Sequence, residues 1–572
     1  MRQLQCLLGR LSYVLALSAS AVLLGCGGGD DNTPPAAQPL SCADLSGMTI
    51  AAANIGLPTT GATVTAATPV AAAGSGVTAT PAYCKVSAAI SPVDPAAPKI
   101  MMQVALPDTW NNKAMMFGGG GYDGYLPSLS QNLPAGPINQ ATPLGRGYAT
   151  FASDSGHLGV SPISIEDASF GLNDEALRNF SGDALKKTRD VAMAIIKARY
   201  AVSGPTKAYF AGGSSGGREA LAVAQRWPED WDGVIALYPA GAAASLDLQF
   251  GRITRALAQP GAYPNATKRK ALYDASIQAC DTLDGVADGL ISNVKACNAT
   301  FNPATALLDG QPLRCAGGAD TGDSCLSDAQ IGAFNVINTP INFNYTLASG
   351  ETQYPGFNTW GTDFGMASAS PLQGISSFLS LGSAQPASPM PNAAPFGSVF
   401  WDQWVRFFVT RDPNFNSLTL DPENPGVYKD RISALAGLQD VNKTDLKAFQ
   451  AKGGKVLIAH GASDPLVSTR ATAQYVDRVR TTMGSALTDT FLRYYEITGY
   501  GHGLGIAFNA AWDSLTTLEN WVEKGTPPPN QIVTDTAGIP GRTRPLCDYP
   551  SYPRYNGSGD VNAAASFSCS TQ

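Results

Sequence analysis

Short apolar runs alternate with amphipathic ones along two separate stretches of the chain. Ile100–Leu106, Ala114–Phe117 and Tyr148–Ala152 read as strands. Leu185–Arg199 has helical spacing, Ala208–Ala211 is another short strand, and a helix over Gly217–Trp227 leads to the strand Gly233–Tyr238. The alternation returns with the strand Lys455–Ala459, the helix Ser468–Thr481 and the strand Phe491–Ile497. Strands alternating with helices predict a mostly parallel sheet. From about Gly241 to Gly453 strand signals are few and Gly, Pro, Asn and Ser abound. One sheet interrupted by a large insertion is the economical reading, and an insertion over a catalytic face acts as a lid.

Within that order lies a constellation suited to nucleophilic catalysis. Gly212-Gly213-Ser214-Ser215-Gly216 matches G-x-S-x-G, with an apolar strand before it and a helix after it. That strand–turn–helix context exposes a serine hydroxyl on a tight turn, and glycines relieve the crowding. The chain has three histidines, His157, His460 and His502. A serine nucleophile needs an imidazole base, which in this arrangement follows the last strand, with the acid after the strand before it. His502, in Gly499-Tyr500-Gly501-His502-Gly503, is therefore the base, and Asp464, at the tip of the loop after Lys455–Ala459, is the acid. His157 and His460 read as structural histidines bonding backbone. The tetrahedral intermediate needs two N–H donors. Ser215 supplies one, and the loop Gly118–Gly124 the other, at Gly121 with Gly120 next in line. The expected fold is an α/β-hydrolase with a large inserted lid, its core spanning 42–240 and 454–572 and the lid 241–453.

Composition places this enzyme outside the cytosol. Arg2 and Arg10 form a basic segment before the apolar run Leu11–Leu24, which ends in Leu23-Leu24-Gly25-Cys26. The pattern reads as a lipoprotein signal peptide over 1–25, with Cys26 acylated and 26–41 a flexible tether. Contact with a membrane is expected through this anchor alone. A net charge of −7, with charged residues only 15% of the chain, offers no basic face, so nucleic acid is not an expected partner. A small-molecule substrate is the expected partner of such a nucleophile, and a monomer the expected state. Eight further cysteines (Cys42, Cys84, Cys280, Cys297, Cys315, Cys325, Cys547 and Cys569) suit disulfides in an oxidising compartment. Sequential pairing is the simplest arrangement, although spacing leaves the connectivity open.

One loop in the insertion suggests a metal. Asp281-Thr282-Leu283-Asp284-Gly285-Val286-Ala287-Asp288-Gly289-Leu290 spaces three carboxylates around two glycines. Asp281, Asp284 and Asp288, with the carbonyls of Val286 and Leu290, form a set of hard oxygen ligands for a structural Ca²⁺.

Together, Gly212–Arg218 (Gly-x-Ser-x-Gly-Gly-Arg), Gly118–Gly124, Asp281–Leu290 and Arg544-Pro545-Leu546-Cys547 resemble the tannase/feruloyl esterase family from Cys42 onward. The stretches Arg542–Cys547 and Tyr555–Asp560 are similar to the branch that cleaves mono(2-hydroxyethyl) terephthalate. The resemblance implies a Ser214/Asp464/His502 triad, calcium in the lid, and the pairs Cys42–Cys84, Cys280–Cys297, Cys315–Cys325 and Cys547–Cys569. It also implies hydrolysis of aromatic acid esters, with mono(2-hydroxyethyl) terephthalate ranked before feruloyl and galloyl esters. Two departures stand out. Where the family commonly has a cysteine pair beside the nucleophile and the histidine, this chain has Gly213 and Gly503. Near Ala384–Asn392 it lacks the arginine expected for a substrate carboxylate, and Val467 replaces an aromatic residue. Arg406 and Arg411 are candidate substitutes, on a segment (Phe400–Phe415) that otherwise reads as an amphipathic core helix.

Overall fold

A computed structural model of the chain describes residues 38–161 and 163–572. The signal peptide, Cys26 and most of the tether lie outside the described residues. Ten strands form one large sheet: β1 (Thr49–Ile50), β2 (Gly61–Val70), β3 (Tyr83–Ser91), β4 (Ile100–Pro107), β5 (Lys113–Phe117), β6 (Ala149–Ser153), β7 (Lys207–Gly213), β8 (Gly233–Leu237), β9 (Lys455–Gly461) and β10 (Leu492–Ile497). Their spatial order is β1-β2-β3-β4-β6-β5-β7-β8-β9-β10. From β6 to β10 every pairing is parallel. From β1 to β4, and between β4 and β6, every pairing is antiparallel.

The parallel half is apolar on both faces because helices cover both. Met116, Phe210, Val234 and Ile458 pack with the helices Ala184–Tyr200, Ser215–Arg226 and Thr469–Met483. Met115, Tyr209, Ile235 and Leu457 point the other way, toward Leu515, Leu518 and Trp521 of the helix Ser514–Lys524. Of the antiparallel edge only β4 has a counterpart in the pattern read from sequence, as Ile100–Leu106; β1 to β3 have none. In β2 only Gly61, Ala62 and Val64 are buried, and the rest of the strand is Thr- and Ala-rich and largely exposed, so its period-two signal is weak.

After Leu237 the chain leaves the sheet, and it returns at Lys455 to pair with β8, Lys455 opposite Gly233. The insertion between them is mostly helical, with two short ribbons at Leu307–Pro312 and Ile341–Tyr354. It has its own aromatic core, in which Phe250, Phe334, Phe364, Trp401, Trp404 and Phe408 pack together and reach Tyr122 and Leu466 of the sheet domain. The segment around Arg406 is indeed a core helix, Phe396–Gln403 continuing into a wider turn over Trp404–Val409. Among the described residues no helix is long and apolar enough to cross a membrane.

Four disulfides follow the sequential order: Cys42–Cys84, Cys280–Cys297, Cys315–Cys325 and Cys547–Cys569. The first ties the N-terminal segment to β3, and the second spans the Asp281 loop.

Two substitutions test this layering. Phe210→Ala, in the fully buried part of β7, should lower the unfolding free energy by about 3–5 kcal/mol. Val427→Ala, at a residue 89% exposed, should change it by less than about 0.5 kcal/mol. Denaturant titration of both variants checks the contrast.

Candidate active site

Ser214 occupies the sharp turn between β7 and the helix Ser215–Arg226, with φ +60° and ψ −123°. Such a conformation costs on the order of 1–3 kcal/mol in a non-glycine residue and persists only where its surroundings over-determine it. Here Ser214 N–H donates to Leu237 O (3.0 Å), and Ser214 O accepts from Ala240 N–H (3.2 Å). The turn also needs small neighbours. A Cβ on Gly212 would stand 2.4 Å from Gly216 O, and one on Gly216 would stand 2.7 Å from Gly119 O.

The three residues expected to act together are brought together. His502 Nε2 lies 2.9 Å from Ser214 Oγ, and His502 Nδ1 lies 2.8 Å from Asp464 Oδ2. Asp464 is fully buried, and its Oδ1 accepts the N–H groups of Leu466 and Val467, both at 2.8 Å. Burial alone would raise its pKa, but the His502 and His460 imidazoles hold the carboxyl well below the ordinary range. It is therefore an anion, suited to keep the Nδ1–H tautomer of His502. Ser463 N–H donates to Tyr500 O, so the acid and histidine loops touch directly. Gly461 permits this approach, since its Cβ would lie 2.3 Å from Gly501 O.

His460 does more than bond backbone. Its Nε2 lies 3.2 Å from Asp464 Oδ2 and 3.1 Å from Val467 O, and its Nδ1 lies 2.9 Å from Thr472 Oγ1. Both partners of Nε2 are acceptors, so that nitrogen carries the proton and Thr472 donates to Nδ1. The sequence hint was its spacing, four residues before Asp464. His157 does bond backbone, with Nε2 2.7 Å from Tyr122 O, and it stacks on Phe170. Burial pulls its pKa down to about 4.

The glycine loop after β5 meets the start of the helix that follows Ser214. Ser215 Oγ donates to Gly121 O at 2.6 Å, which ties the two segments to each other. The N–H groups of Gly120, Gly121 and Ser215 donate to no backbone acceptor among the described residues. Gly121 has φ +62°, and a Cβ there would strike Ile165 O at 2.3 Å. Below the loop, Glu219 accepts Gly119 N–H (3.1 Å), and burial, reinforced by Asp123, keeps its carboxyl protonated far above the usual range. Neither Asp123 nor Glu219 was a candidate in the sequence, where nothing marks a buried carboxyl.

These parts open on a cleft of about 430 Å³, within the usual size of a small-molecule site. Ile375, Leu379 and Phe396 of the insertion face Tyr125, Gln131, Tyr238 and Leu504 across it. Among the described residues that line it there is no Lys or Arg. Arg406 is held by Asp402 and by the carbonyl of Pro413. Arg411 is held by Asp174 and by the carbonyl of Leu172. Neither lines the cleft, which corrects their reading as substitutes for a carboxylate-binding arginine.

A profile of tannase and feruloyl esterase sequences matches residues 84–570. The chain belongs to the tannase and feruloyl esterase family. It is a carboxylic ester hydrolase with an α/β-hydrolase fold. An uncharacterized esterase of Agrobacterium fabrum is 38% identical over 540 residues, covering 92% of each chain. The mono(2-hydroxyethyl) terephthalate hydrolase of Piscinibacter sakaiensis is 31% identical, covering 86% of this chain and 85% of that protein. The crystal structure of feruloyl esterase B from Aspergillus oryzae superposes with a TM-score of 0.71 at 24% identity, covering 91% of this chain and 98% of that one. The last comparison establishes the fold.

The family signature near the C-terminus has a visible purpose. Arg544 pairs with Asp288 of the Asp281–Leu290 loop, and Arg542 donates to the carbonyl of Asp288 and to Asp535 (2.9 Å). Asp281 accepts the N–H groups of Gly289 (2.9 Å) and Leu290 (3.2 Å), whereas Asp284 Oδ2 is buried with no partner. Among the described residues no group of three or more His, Cys, Asp or Glu side chains converges as a ready-made metal site.

Glu166 gives a test of burial beside the glycine loop. Its Oε1 is unpartnered, and burial lifts the carboxyl from 4.5 to about 8. The folded chain therefore keeps a proton that the unfolded chain loses, and stability falls as pH rises from about 4.5 to 8. Glu166→Gln should match the parent at pH 5 and exceed its melting temperature increasingly toward pH 8. Thermal melts of both proteins across that range check it.

Proposed function

We propose that this chain hydrolyses esters of uncharged, phenolic aromatic acids through an acyl-enzyme on Ser214. The observation that carries the reading is the Ser214–His502–Asp464 hydrogen-bond chain opening on a cleft that no Lys or Arg among the described residues lines. Ser214 Oγ attacks the ester carbonyl as His502 Nε2 takes its proton. The N–H groups of Ser215 and of Gly121 or Gly120 receive the developing oxyanion. As the C–O bond breaks, His502 returns the proton to the leaving alcohol. Water then attacks the acyl-enzyme by the same route, releasing the acid and restoring Ser214. The phenol group of Tyr125 and the amide of Gln131 offer partners for ring hydroxyls of the acyl group. A terephthalate monoester carries a free carboxylate, and burying that charge without a cation is costly. The second reading, a mono(2-hydroxyethyl) terephthalate hydrolase, rests on the 31% identical relative.

For the loop Asp281–Leu290 we propose a structural Ca²⁺. The orphaned, buried Asp284 Oδ2 and the oxygen-only donor set fit a hard cation. Asp281, Asp284 and Asp288, with the carbonyls of Val286 and Leu290, would hold it, Asp288 sharing its carboxylate with Arg544. A bound ion would brace the insertion and take no part in the chemistry. The four disulfides support export, and lipid attachment at Cys26 is the accompanying proposal.

Three measurements test these readings. In a side-by-side assay, methyl ferulate and methyl gallate should be hydrolysed with higher kcat/KM than mono(2-hydroxyethyl) terephthalate, and the reverse order would overturn the uncharged-acyl reading. Ser214→Ala should lose about 10³-fold or more in kcat, and Gly121→Ala about 10²–10³-fold with the fold intact. Removing divalent cations with a chelator should lower the melting temperature, and added Ca²⁺ should restore it. An unchanged melt counts against the ion.

A further inference from the structure

Tyr238, the first residue after β8, has φ +35°, a conformation that a bulky side chain rarely adopts. Its N–H donates to Ala459 O at 2.7 Å, so the strained residue is pinned to β9. The strain turns the side chain into the cleft. The ring is 8% exposed and lies 4.8 Å from the His502 ring, tilted by 59°. On another side it meets Tyr500 at 6.4 Å.

The two glycines beside the reacting pair border this ring, Gly213 tightly and Gly503, whose φ of +76° already favours glycine, more loosely. A Cβ on Gly213, the residue before the nucleophile, would lie 2.5 Å from both Cζ and Oη of Tyr238. A Cβ on Gly503, the residue after the base, would lie 3.1 Å from Oη. The phenol end of Tyr238 thus fills the space between the end of β7 and the His502 loop. Gly213 has no positive φ, so its backbone does not explain why it is a glycine, whereas the contact with Tyr238 does.

We propose that Tyr238 is the positioning residue for His502, a wedge between Gly213 and Gly503 that sets the spacing of nucleophile and base. The inference rests on the Ser214 acyl-enzyme reading above. The ring supplies dispersion and aromatic contact on the imidazole face, and its length spans the gap between the two loops. A displacement of the base by about 1 Å costs as much as 10²-fold in rate, which sets the size of the effect. The ring carries most of the wedge, since it faces the imidazole and its Cζ stands against Gly213, while Oη adds the contact toward Gly503.

The experiment is a kinetic comparison of purified variants on methyl ferulate. Tyr238→Ala should lower kcat by about tenfold to a hundredfold with KM within about threefold. Tyr238→Phe should restore kcat to within about threefold of the parent. Gly213→Ala should resemble Tyr238→Ala, because its new Cβ displaces the ring. The double variant should be no worse than either single one, since the Cβ then meets empty space. Should the alanine variant fail to fold, Tyr238→Leu, which keeps bulk without a flat ring, carries the same expected kcat loss. Unchanged kcat in Tyr238→Ala or Tyr238→Leu, or full additivity in the double variant, would overturn the inference. Ser214→Ala separates the two claims. Activity that survives in Ser214→Ala defeats the acyl-enzyme reading itself. Activity lost there but retained in Tyr238→Ala defeats the wedge alone.

Discussion

Everything at this site depends on how closely four backbone segments approach the turn at Ser214. The serine holds φ +60°, and the glycines around it have no room for a side chain. A Cβ on Gly118 would meet Gly216 Cα at 2.6 Å, and one on Gly217 would meet Leu237 O at 2.5 Å. With Gly212 and Gly216, these contacts bring β5, β7, β8 and the helix N-terminus together around one hydroxyl. The glycine loop can then sit over the helix start, where the Ser215–Gly121 bond holds it. Steric exclusion here becomes electrostatic preorganisation, because N–H groups locked by packing need no reorganisation during reaction.

The second constraint is charge. Asp464 is buried, and a buried carboxylate is tolerated only when its lone pairs are matched. Two backbone amides and two imidazoles match them, and the imidazoles come from the acid's own strand and from the next loop. His460 thereby makes the acid part of β9 as well as of the triad. Glu219 and Glu166 show the opposite solution: burial outweighs the pull of Arg218 on Glu219, and both are held as neutral carboxyls.

The insertion supplies what the sheet cannot, an apolar roof. Ile375, Leu379 and Phe396 close one side of the cleft, while the charge of Arg406 is turned into the insertion's own contacts and that of Arg411 toward Leu172 and Asp174 of the sheet domain. Chemistry therefore belongs to the sheet's loops, and discrimination among esters to the space between those loops and the insertion. Tyr238 stands at the junction, touching the base and lining the cleft at once.

Much of this was legible in the residues alone. The parallel strands, the nucleophile, the acid, the base and the break at about Gly241 are local patterns, and with only three histidines the base had few alternatives. Local signals of this kind survive because backbone period and turn chemistry act over a few residues. Beyond β4 the antiparallel edge was not legible, since Thr- and Ala-rich β2 carries little apolar alternation. Nor was the role of His460, the neutral state of Glu219, the orientation of Arg406 and Arg411, or the reason for Gly213. Glu219, Arg411 and Gly213 are set by residues far apart in the chain that packing brings within a few ångströms, whereas His460 and Arg406 are held by near neighbours in the chain whose burial only the fold decides. Burial and contact, which decide charge state and spacing, exist only once the chain is folded. The sequence by itself picked out the candidate serine, acid and histidine and their order; the tertiary structure decided their environment, and with it the character of the cleft.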